Sequence, residues 1–326
     1  MKPIVILGIF VADTAYRADR QPKMGETILG HSFALGPGGK GSNQSVAAAM
    51  AGGAVHFITR LGRDDFAQIA RATWARAGVH PQVTEDAESY TGAAYIFLEA
   101  ATGNNAIIVA PGAAARISVA DVEARAGLIE GAACFVTQLE QPIPAALRGL
   151  QIARAAGVPT ILNPAPAAEL SDEMLALCDF VTPNESEAEA LSGIAVTDVA
   201  SAGRAADALL ARGVGAVIVT LGEKGALYRD RDRQVHVPAV TAGPVVETTG
   251  AGDAFNGGFA VALSEGQDVI AAVRFGCATA GISVTRPGTA PSMPARAEIE
   301  RCWRGGSPRR GGPVVKLSYR GYIAVA

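Results

Sequence analysis

The sequence predicts an α/β protein with a doubly wound, mostly parallel sheet, helices on both faces and a small β-sheet lid. Short apolar runs alternate with longer segments of helical periodicity over most of the chain, which is the pattern of βα units. Hydrophobic residues make up 49% of the 326 residues and charged residues 18%, so a large core can be buried. Two segments, at about 13–35 and 91–110, break the alternation and have the pattern of β-ribbon.

The elements of the main sheet follow one another in order along the chain. Short apolar runs predict strands at 3–8, 55–59, 133–137, 160–162, 180–182 and 216–220. Helical periodicity predicts helices at 42–51, 65–77, 144–156, 202–212 and 251–263, and glycines 78 and 157 end two of them. Because strands and helices mostly alternate along the chain, the strands are expected to run parallel.

The two ribbon-like segments form the predicted lid. Residues 91–110 contain two strand-like runs joined by a turn centred on Gly103 and Asn104. An antiparallel insertion suits a cover over a site at the carboxyl edge of the sheet. We therefore predict a single domain over 1–303 that includes this lid. The extension 304–326 begins rich in Gly, Arg and Pro, which is typical of linkers or disorder, and ends in a strand-like run, and it is assigned no function.

Composition excludes several function classes. A net charge of −3 gives no electrostatic footprint for nucleic acid or an anionic membrane. The four cysteines, Cys134, Cys178, Cys277 and Cys302, form no CxxC pair, which argues against a disulfide framework or a zinc site. We expect neither a signal peptide nor a membrane-spanning helix. The expectation is a cytoplasmic enzyme with a small-molecule substrate.

The first glycine cluster, GPGGKGSN at 36–43, predicts contact with a ligand. It formally contains the dinucleotide fingerprint G-x-G-x-x-G, but it follows ribbon and not the first βα turn. It is no phosphate-binding P-loop of the Walker type, because Lys40 is followed by Gly41. The favoured interpretation is a loop that approaches a hydroxylated ligand at the start of a helix. A tight structural turn and a nicotinamide-dependent oxidoreductase remain the alternatives.

The second cluster, TTGAGDAFNGG at 248–258, predicts a catalytic site. Gly250, Ala251 and Gly252 open an apolar helix, whose unpaired amides and dipole attract an anion. Asp253 would repel a phosphate bound there at rest. It makes chemical sense as a base that accepts the proton of an attacking hydroxyl while the amides stabilise the phosphoryl group. The alternative is a carboxylate that only caps the helix.

Further polar residues fall at predicted strand ends, where such sheets bind ligands. Asn184 and Glu187 lie three apart at a helix start, so together they could hold a hydrated Mg²⁺ or simply cap the helix. The turn TLGEKG at 220–225 suits a nucleotide. Glu140 and Asp13 are taken to end two strands, where they could bind hydroxyls.

In their order, these motifs resemble the ribokinase family of carbohydrate kinases, the PfkB type. The resemblance covers about residues 4–303. It rests on GGKGSNQSVAAA at 38–49, QLEQP at 138–142, LNPAPA at 162–167, TPNESEAE at 182–189, TLGEKG at 220–225 and TTGAGDAFNGG at 248–258. It implies a Rossmann-like core, a lid often shared across a homodimer, and ATP- and Mg²⁺-dependent phosphorylation of a sugar's primary hydroxyl.

The resemblance also implies roles for individual residues. Asp253 would be the base, with an anion hole formed by Gly250, Ala251 and Gly252. The sugar would be held by Asp13, Gly39, Lys40, Gly41, Asn43 and Glu140. ATP would be held by Asn184, Thr220, Gly222, Lys224, Gly225, Gly252 and Cys277, with Mg²⁺ reached from Glu187 through water. A monovalent cation, expected to be K⁺, would lie near Glu247, Thr249, Ser283, Arg286, Gly288 and Ser292.

Of two departures from the family pattern, Val11 bears on the substrate and Glu247 on the monovalent-cation site. Val11 stands where family members that phosphorylate ribose have an asparagine, and loss of a hydroxyl partner can change discrimination strongly. Glu247 stands where an aspartate is usual. The sequence therefore favours ribose or a closely related pentose, phosphorylated on its 5-hydroxyl. Deoxyribose, a keto-sugar acid and a nucleoside remain alternatives, as does a sugar-binding module without catalysis.

Overall fold

The computed structural model describes residues 2–303. Its strands are β1 (Ile4–Leu7), β2 (Val11–Ala18), β3 (Ser32–Gly38), β4 (Val55–Leu61), β5 (His80–Glu85), β6 (Thr91–Glu99), β7 (Asn105–Gly112), β8 (Cys134–Thr137), β9 (Thr160–Leu162), β10 (Phe180–Val181), β11 (Ala216–Thr220), β12 (Ala226–Arg229) and β13 (Gln234–Val237). Its α-helices are α1 (Lys40–Met50), α2 (Asp65–Ala77), α3 (Val119–Glu123), α4 (Ala126–Glu130), α5 (Ile143–Ala155), α6 (Asp172–Ala176), α7 (Glu185–Ser192), α8 (Val199–Ala211), α9 (Ala251–Ser264), α10 (Val269–Ser283) and α11 (Arg296–Trp303). The predicted tail, 304–326, lies outside the described residues.

Nine strands form the main sheet, in the order β13-β12-β11-β10-β9-β8-β1-β4-β5. The pairs from β5 to β11 are parallel, and only β12 and β13 are antiparallel additions. From the central β1, the chain first builds outward through β4 and β5 and then returns to build the other half from β8. This reversal is the doubly wound arrangement that the sequence predicts, and ligands bind where it occurs.

The sheet is buried on both faces, as strands between two helical layers must be. Successive side chains of a strand point to opposite faces. Accordingly, Ile4 and Ile6 belong to one apolar cluster, with Phe259 of α9 and Phe275 of α10. Val5 belongs to the other, with residues of α5 and α8. The helices α1, α9 and α10 thus cover one face, and α5 and α8 cover the other.

The lid is a separate four-stranded sheet in the order β3-β2-β6-β7. The predicted hairpin is present in β6 and β7, and Gly103 in its turn has a φ of 76°. Asp13 corrects an expectation, because it does not end the first strand of the core. It is the third residue of lid strand β2 and pairs with Gly36 of β3. The apolar run is broken after Leu7, so one continuous-looking segment serves two different sheets.

Some elements were not predicted, for physical reasons. The edge strand β5 has the sequence HPQVTE and is largely exposed, so it lacks the apolar run of an interior strand. The helix α10 is apolar on every side, which hides its periodicity. The helix α1 begins at Lys40, two residues before its predicted start. Within residues 2–303, no helix has the length and apolar character needed to cross a membrane.

Candidate active site

A polar cleft opens at the carboxyl edge of the main sheet, beside the start of α9. It is lined by Lys40, Asn163, Ala165, Thr182, Asn184, Glu187, Thr220, Gly250, Gly252, Asp253 and Asn256. The lining comes from α1, from the segments that follow β9 and β10, from the last residue of β11, and from the first two turns of α9. The winding of the sheet therefore brings residues more than 200 positions apart in the chain into one site.

The start of α9 presents unpaired backbone donors to this cleft. Gly250 has a left-handed φ of 80° and no side chain caps the helix. The first amides of a helix have no partner within the helix, so they and the helix dipole favour an anion. Ala251 differs, because its amide donates to the Thr248 carbonyl at 3.1 Å. A Cβ built on Gly252 meets nothing within 4 Å, which leaves room for a ligand directly above that residue.

Asp253 lies in the first turn of α9 and is only 6% exposed. The Nε2 of Gln44 donates to its Oδ1 at 3.0 Å, and the Nδ2 of Asn43 donates to its Oδ2 at 3.1 Å. Burial raises the pKa of Asp253, while Lys40 and these two amides oppose the rise. The carboxylate caps no amide of its own helix. The helix-capping interpretation therefore has no support in the structure.

The first glycine cluster carries the chain from the lid into α1. Gly36 and Gly38 belong to lid strand β3, and Gly39 is the residue before the helix. The amide of Lys40 donates to Oε2 of Glu140 at 2.7 Å. The cluster thus spans the end of a lid strand and the start of α1, and this removes the structural context that the dinucleotide alternative requires. Gly41 and Asn43 lie in the first turn of α1, where Asn43 reaches Asp253 and Gly41 packs against Gly8 and Gln138.

The cleft concentrates negative charge around one lysine. Burial, with the charges of Glu247 and Asp253, raises the pKa of Asp13 to about 7. Burial likewise raises the pKa of Glu140 to about 7, although Lys40 opposes the change. Burial lowers the pKa of Lys40, but nearby carboxylates outweigh it and the net shift is upward. Such perturbed pKa values are typical of functional sites.

Asn184 and Glu187 form a capping box at the start of α7. The side chain of Asn184 accepts from the Glu187 amide at 2.8 Å, and Glu187 Oε2 accepts from the Asn184 amide at 2.9 Å. Both residues also line the cleft. Burial raises the pKa of Glu187. The capping and ligand-binding interpretations are therefore compatible, because only one carboxylate oxygen is engaged in the cap.

The predicted nucleotide residues are not all gathered at the cleft. Thr220 lines it, and Gly222 follows in the turn after β11. Lys224 points elsewhere, because its Nζ donates to the Thr197 carbonyl at 2.9 Å. Gly225 is buried in that turn, and its carbonyl accepts from the Leu221 amide. Cys277 is buried in α10 within the apolar core.

The residues predicted to surround a monovalent cation lie on two adjoining loops. The Val284 carbonyl accepts from the Glu247 amide at 3.2 Å, and Glu247 Oε2 accepts from the Gly288 amide at 2.8 Å. The hydroxyl of Thr289 donates to the Pro37 carbonyl at 2.9 Å, which joins this region to the lid. The other predicted residues, Thr249, Ser283, Arg286 and Ser292, lie on or directly beside the same two loops. The Arg286 guanidinium pairs with Glu298.

Four polar residues of the site had no predicted role. Asn163 and Thr182 follow β9 and β10, Asn256 lies one turn beyond Asp253, and Gln44 lies in α1. The hydroxyl of Thr182 donates to Asn256 Oδ1 at 2.7 Å, and Asn256 Nδ2 donates to the Gly252 carbonyl at 2.8 Å. Their signal in the sequence is a polar residue directly after an apolar strand, or within an otherwise apolar helix.

The fold and the site together can be compared with known proteins. Residues 1–296 match the model of the pfkB family carbohydrate kinases. A ribokinase of Haemophilus influenzae is 38% identical over 298 residues, covering 91% of this chain and 97% of that protein. A deoxyribokinase of Salmonella typhi is 36% identical over 294 residues, covering 90% of this chain and 95% of that protein. Arabidopsis thaliana ribokinase complexed with ribose and ATP has a TM-score of 0.88 at 31% identity, covering 93% of this chain and 99% of that one. The chain therefore belongs to the pfkB family of carbohydrate kinases.

Proposed function

We propose that this protein is an ATP-dependent kinase that phosphorylates the 5-hydroxyl of ribose or a closely related pentose. The observation that carries the proposal is a buried carboxylate, Asp253, in the uncapped first turn of α9. An acceptor for a proton and donors for an anion thus lie side by side. The relatives named above, which include ribokinases, support the same reaction class.

In the proposed reaction, Asp253 accepts the proton of the sugar hydroxyl as its oxygen attacks the γ-phosphorus of ATP. The new O–P bond forms while the bond from the γ-phosphorus to the bridging oxygen breaks, and ADP leaves. The backbone at Gly250, Ala251 and Gly252 stabilises charge on the transferring group. Ala251 has to release or share its bond to Thr248 to take part. Positioning of the hydroxyl contributes more than basicity, because proton loss is late in a loose transition state.

Lys40 is placed to balance charge in this reaction. It lines the cleft, and its pKa responds to Asp253, Glu140 and Glu187. Within residues 2–303 its ammonium has no carboxylate within 4 Å. A cation surrounded by acids but paired with none is available to a phosphoryl oxygen. We infer that it contacts the phosphoryl group in addition to its predicted sugar contact.

The proposed sugar site lies between α1 and the lid. Its members are Asp13, Gly39, Lys40, Gly41, Asn43 and Glu140. Asn43 Oδ1 is buried and has no hydrogen-bond partner within residues 2–303. A buried acceptor without a donor is costly, and a sugar hydroxyl would satisfy it. The carboxylates of Asp13 and Glu140 can accept further hydroxyls.

The proposed nucleotide site lies on the other side of Asp253. Asn184, Thr220 and Gly252 line the cleft directly. Gly222, Gly225 and Cys277 would contribute backbone or apolar contact to the nucleoside, whereas Lys224 would contribute only if it left Thr197. Glu187 fits Mg²⁺, because Mg²⁺ keeps several waters and takes few carboxylates. That ion would neutralise charge on the phosphates of ATP.

A K⁺ site is proposed on the two loops beside α9. Its donors would be oxygens of Glu247, Thr249, Ser283, Arg286, Gly288 and Ser292. Carbonyl and hydroxyl oxygens are hard ligands of the kind that suit such cations. The Arg286 side chain is engaged with Glu298, so it would offer only its carbonyl. An ion bound here would fix the loop that leads into the anion-binding turn.

The identity of the sugar depends on Val11. It lies two residues before Asp13 on β2, so both side chains point to the same face of that strand. Val11 is 4% exposed, and it contacts the backbone of the lid near Gly92. An apolar side chain offers no partner to a sugar hydroxyl. A deoxypentose is therefore the second candidate substrate, and a deoxyribokinase is among the relatives.

The assembly and location are also proposed. Ile107, Ile108 and Val109 on edge strand β7 of the lid are more than half exposed. Consecutive apolar residues favour association when they lie on an edge strand whose outer side has no partner strand within residues 2–303. We propose a homodimer formed through the lid, in the cytoplasm, where ATP is available.

A coupled assay of ADP release over a panel of sugars tests the proposal. The panel contains ribose, 2-deoxyribose, a keto-sugar acid and a nucleoside, each with ATP and Mg²⁺. We expect turnover with a pentose, and a fall in kcat of about 10²- to 10⁴-fold in Asp253→Asn with ATP binding retained. Val11→Asn should shift the preference from deoxyribose toward ribose. Sugar binding without ADP release would instead identify a sugar-binding module.

A further inference from the structure

We propose that Gln44 is the residue that positions the Asp253 carboxylate for proton transfer. This inference rests on the proposed role of Asp253 as the base. Gln44 is fully buried, and its Nε2 donates both to Asp253 Oδ1 and to Asn163 Oδ1 at 3.0 Å. Its Oε1 accepts from Gln138 Nε2 at 2.6 Å. Both N–H donors of this side-chain amide, and one lone pair of its oxygen, are thus used in hydrogen bonds within the protein. Gln44 therefore has no donor left for a ligand.

The direction of these bonds is fixed by the main chain. The Thr182 carbonyl can only accept, and Asn163 Nδ2 donates to it at 3.0 Å. Asn163 Oδ1 must therefore face Gln44, which in turn must present its NH₂ group. The second hydrogen of that group then points at Asp253. The end of β10 thus sets the orientation of the carboxylate in α9 through two side-chain amides.

Asn43 and Gln44 hold the two carboxylate oxygens from one helix. Asn43 donates to Oδ2 and Gln44 to Oδ1, and two bonds to different oxygens fix the plane of the carboxylate. Both donors favour the charged form, which counteracts burial. The ionisable groups that act on Asp253, or that it acts on, are Lys40, Asp13, Glu140 and Glu187. Only Lys40 is a cation, so the neutral amides supply a needed part of the stabilisation.

A close helix crossing makes this contact possible. A Cβ built on Gly257 of α9 would lie 2.5 Å from the Ala47 Cβ of α1. No side chain fits there, so the two helices approach closely and Gln44, one turn before Ala47, reaches Asp253. The same approach buries the bonds, which strengthens them in the low local dielectric.

The test compares Gln44→Met, which keeps the shape but removes the N–H donor, with Gln82→Met, a matched change on edge strand β5. Folding is checked by thermal denaturation, and ADP affinity by calorimetry. We expect Gln44→Met to lower kcat about 10- to 100-fold with little change in ADP affinity. The acidic limb of its kcat–pH profile should move up by about one pH unit, because the charged base loses a donor. Gln82→Met should behave as the wild type.

A second variant distinguishes the loss of the hydrogen bond from a packing defect. Gln44→Glu keeps the size and places a carboxyl group beside Asp253, so the acidic limb should move further than in Gln44→Met. A wild-type pH profile in folded Gln44→Met, or a loss of ADP affinity equal to the loss of kcat, would overturn the positioning role. The proposed function fails separately, if Asp253→Asn keeps wild-type turnover.

Discussion

Acidification from pH 8 to pH 6 should stabilise the ligand-free protein through Asp13 and Glu140. Burial is the first cause of both upward pKa shifts, from 3.8 and 4.5 to about 7. Each acid therefore binds its proton more tightly in the folded protein than in the unfolded chain. The stabilisation is complete below about pH 4 and is lost as the pH rises through about 7.

The size of the effect follows from these pKa values. Between pH 8 and pH 6 the unfolded acid stays ionised, while the folded acid passes from about one-tenth to about nine-tenths protonated. This adds about 1.4 kcal/mol per group to the free energy of unfolding. For a chain of this length, each group corresponds to a rise in Tm of roughly 2 °C.

Urea denaturation at pH 6, 7 and 8 measures this free energy, in the wild type and in Asp13→Asn/Glu140→Gln. The matched variant is needed because His56 acts in the opposite direction. Burial and His80 lower the His56 pKa in the folded protein, so acidification through about pH 6.5 favours unfolding at that residue. The difference between the two proteins isolates the acids. An identical change with pH in both proteins would refute the reasoning.

Two further changes separate residues of the site from residues that only stabilise the fold. Lys40→Met should lower kcat at least 10-fold, because it removes the unpaired cation of the cleft. Lys224→Met should leave the KM for ATP unchanged, because Lys224 binds Thr197. Steady-state kinetics measures both effects, and a larger effect of Lys224→Met than of Lys40→Met would contradict the proposed placement of the site. Arg60→Met should cost about 3 kcal/mol in urea denaturation, since it leaves the buried Asp121 without its cation, whereas Asp86 keeps Arg116. An exposed arginine pair provides its control, in which Arg71→Met should change stability by less than about 1 kcal/mol.

The core of the fold was predictable because buried parallel strands are short, nearly uninterrupted runs of apolar residues. The strand β11 was predicted with the bounds that the structure shows, since an apolar run ending at Thr220 has few other structures open to it. Asp13 was placed in the wrong strand, because a run of apolar residues does not reveal where the chain leaves one sheet for another. The edge strand β5 escaped prediction because exposure removes the apolar pattern.

The site was predictable where chemistry depends on the backbone and less so where it depends on tertiary contacts. The glycine-rich start of α9 marks Asp253 as the candidate base from the sequence alone. Gln44 looks like any polar residue in a helix until α1 is packed against α9. Lys224 lies in a motif that suits a nucleotide, yet its long side chain binds Thr197. A local pattern cannot specify the direction of a flexible side chain.

The crossing at Gly257 means that the geometry of the proposed base is encoded partly by a missing side chain. The separation of α1 and α9 determines whether the side-chain amides of α1 come within hydrogen-bond distance of Asp253. The helices can approach this closely because residue 257 has only a hydrogen atom as its side chain. Any larger residue there would push the helices apart without contacting a ligand. The spacing of the atoms proposed to take part in the chemistry thus depends on a position that has no functional group, and inspection of polar residues alone would overlook it.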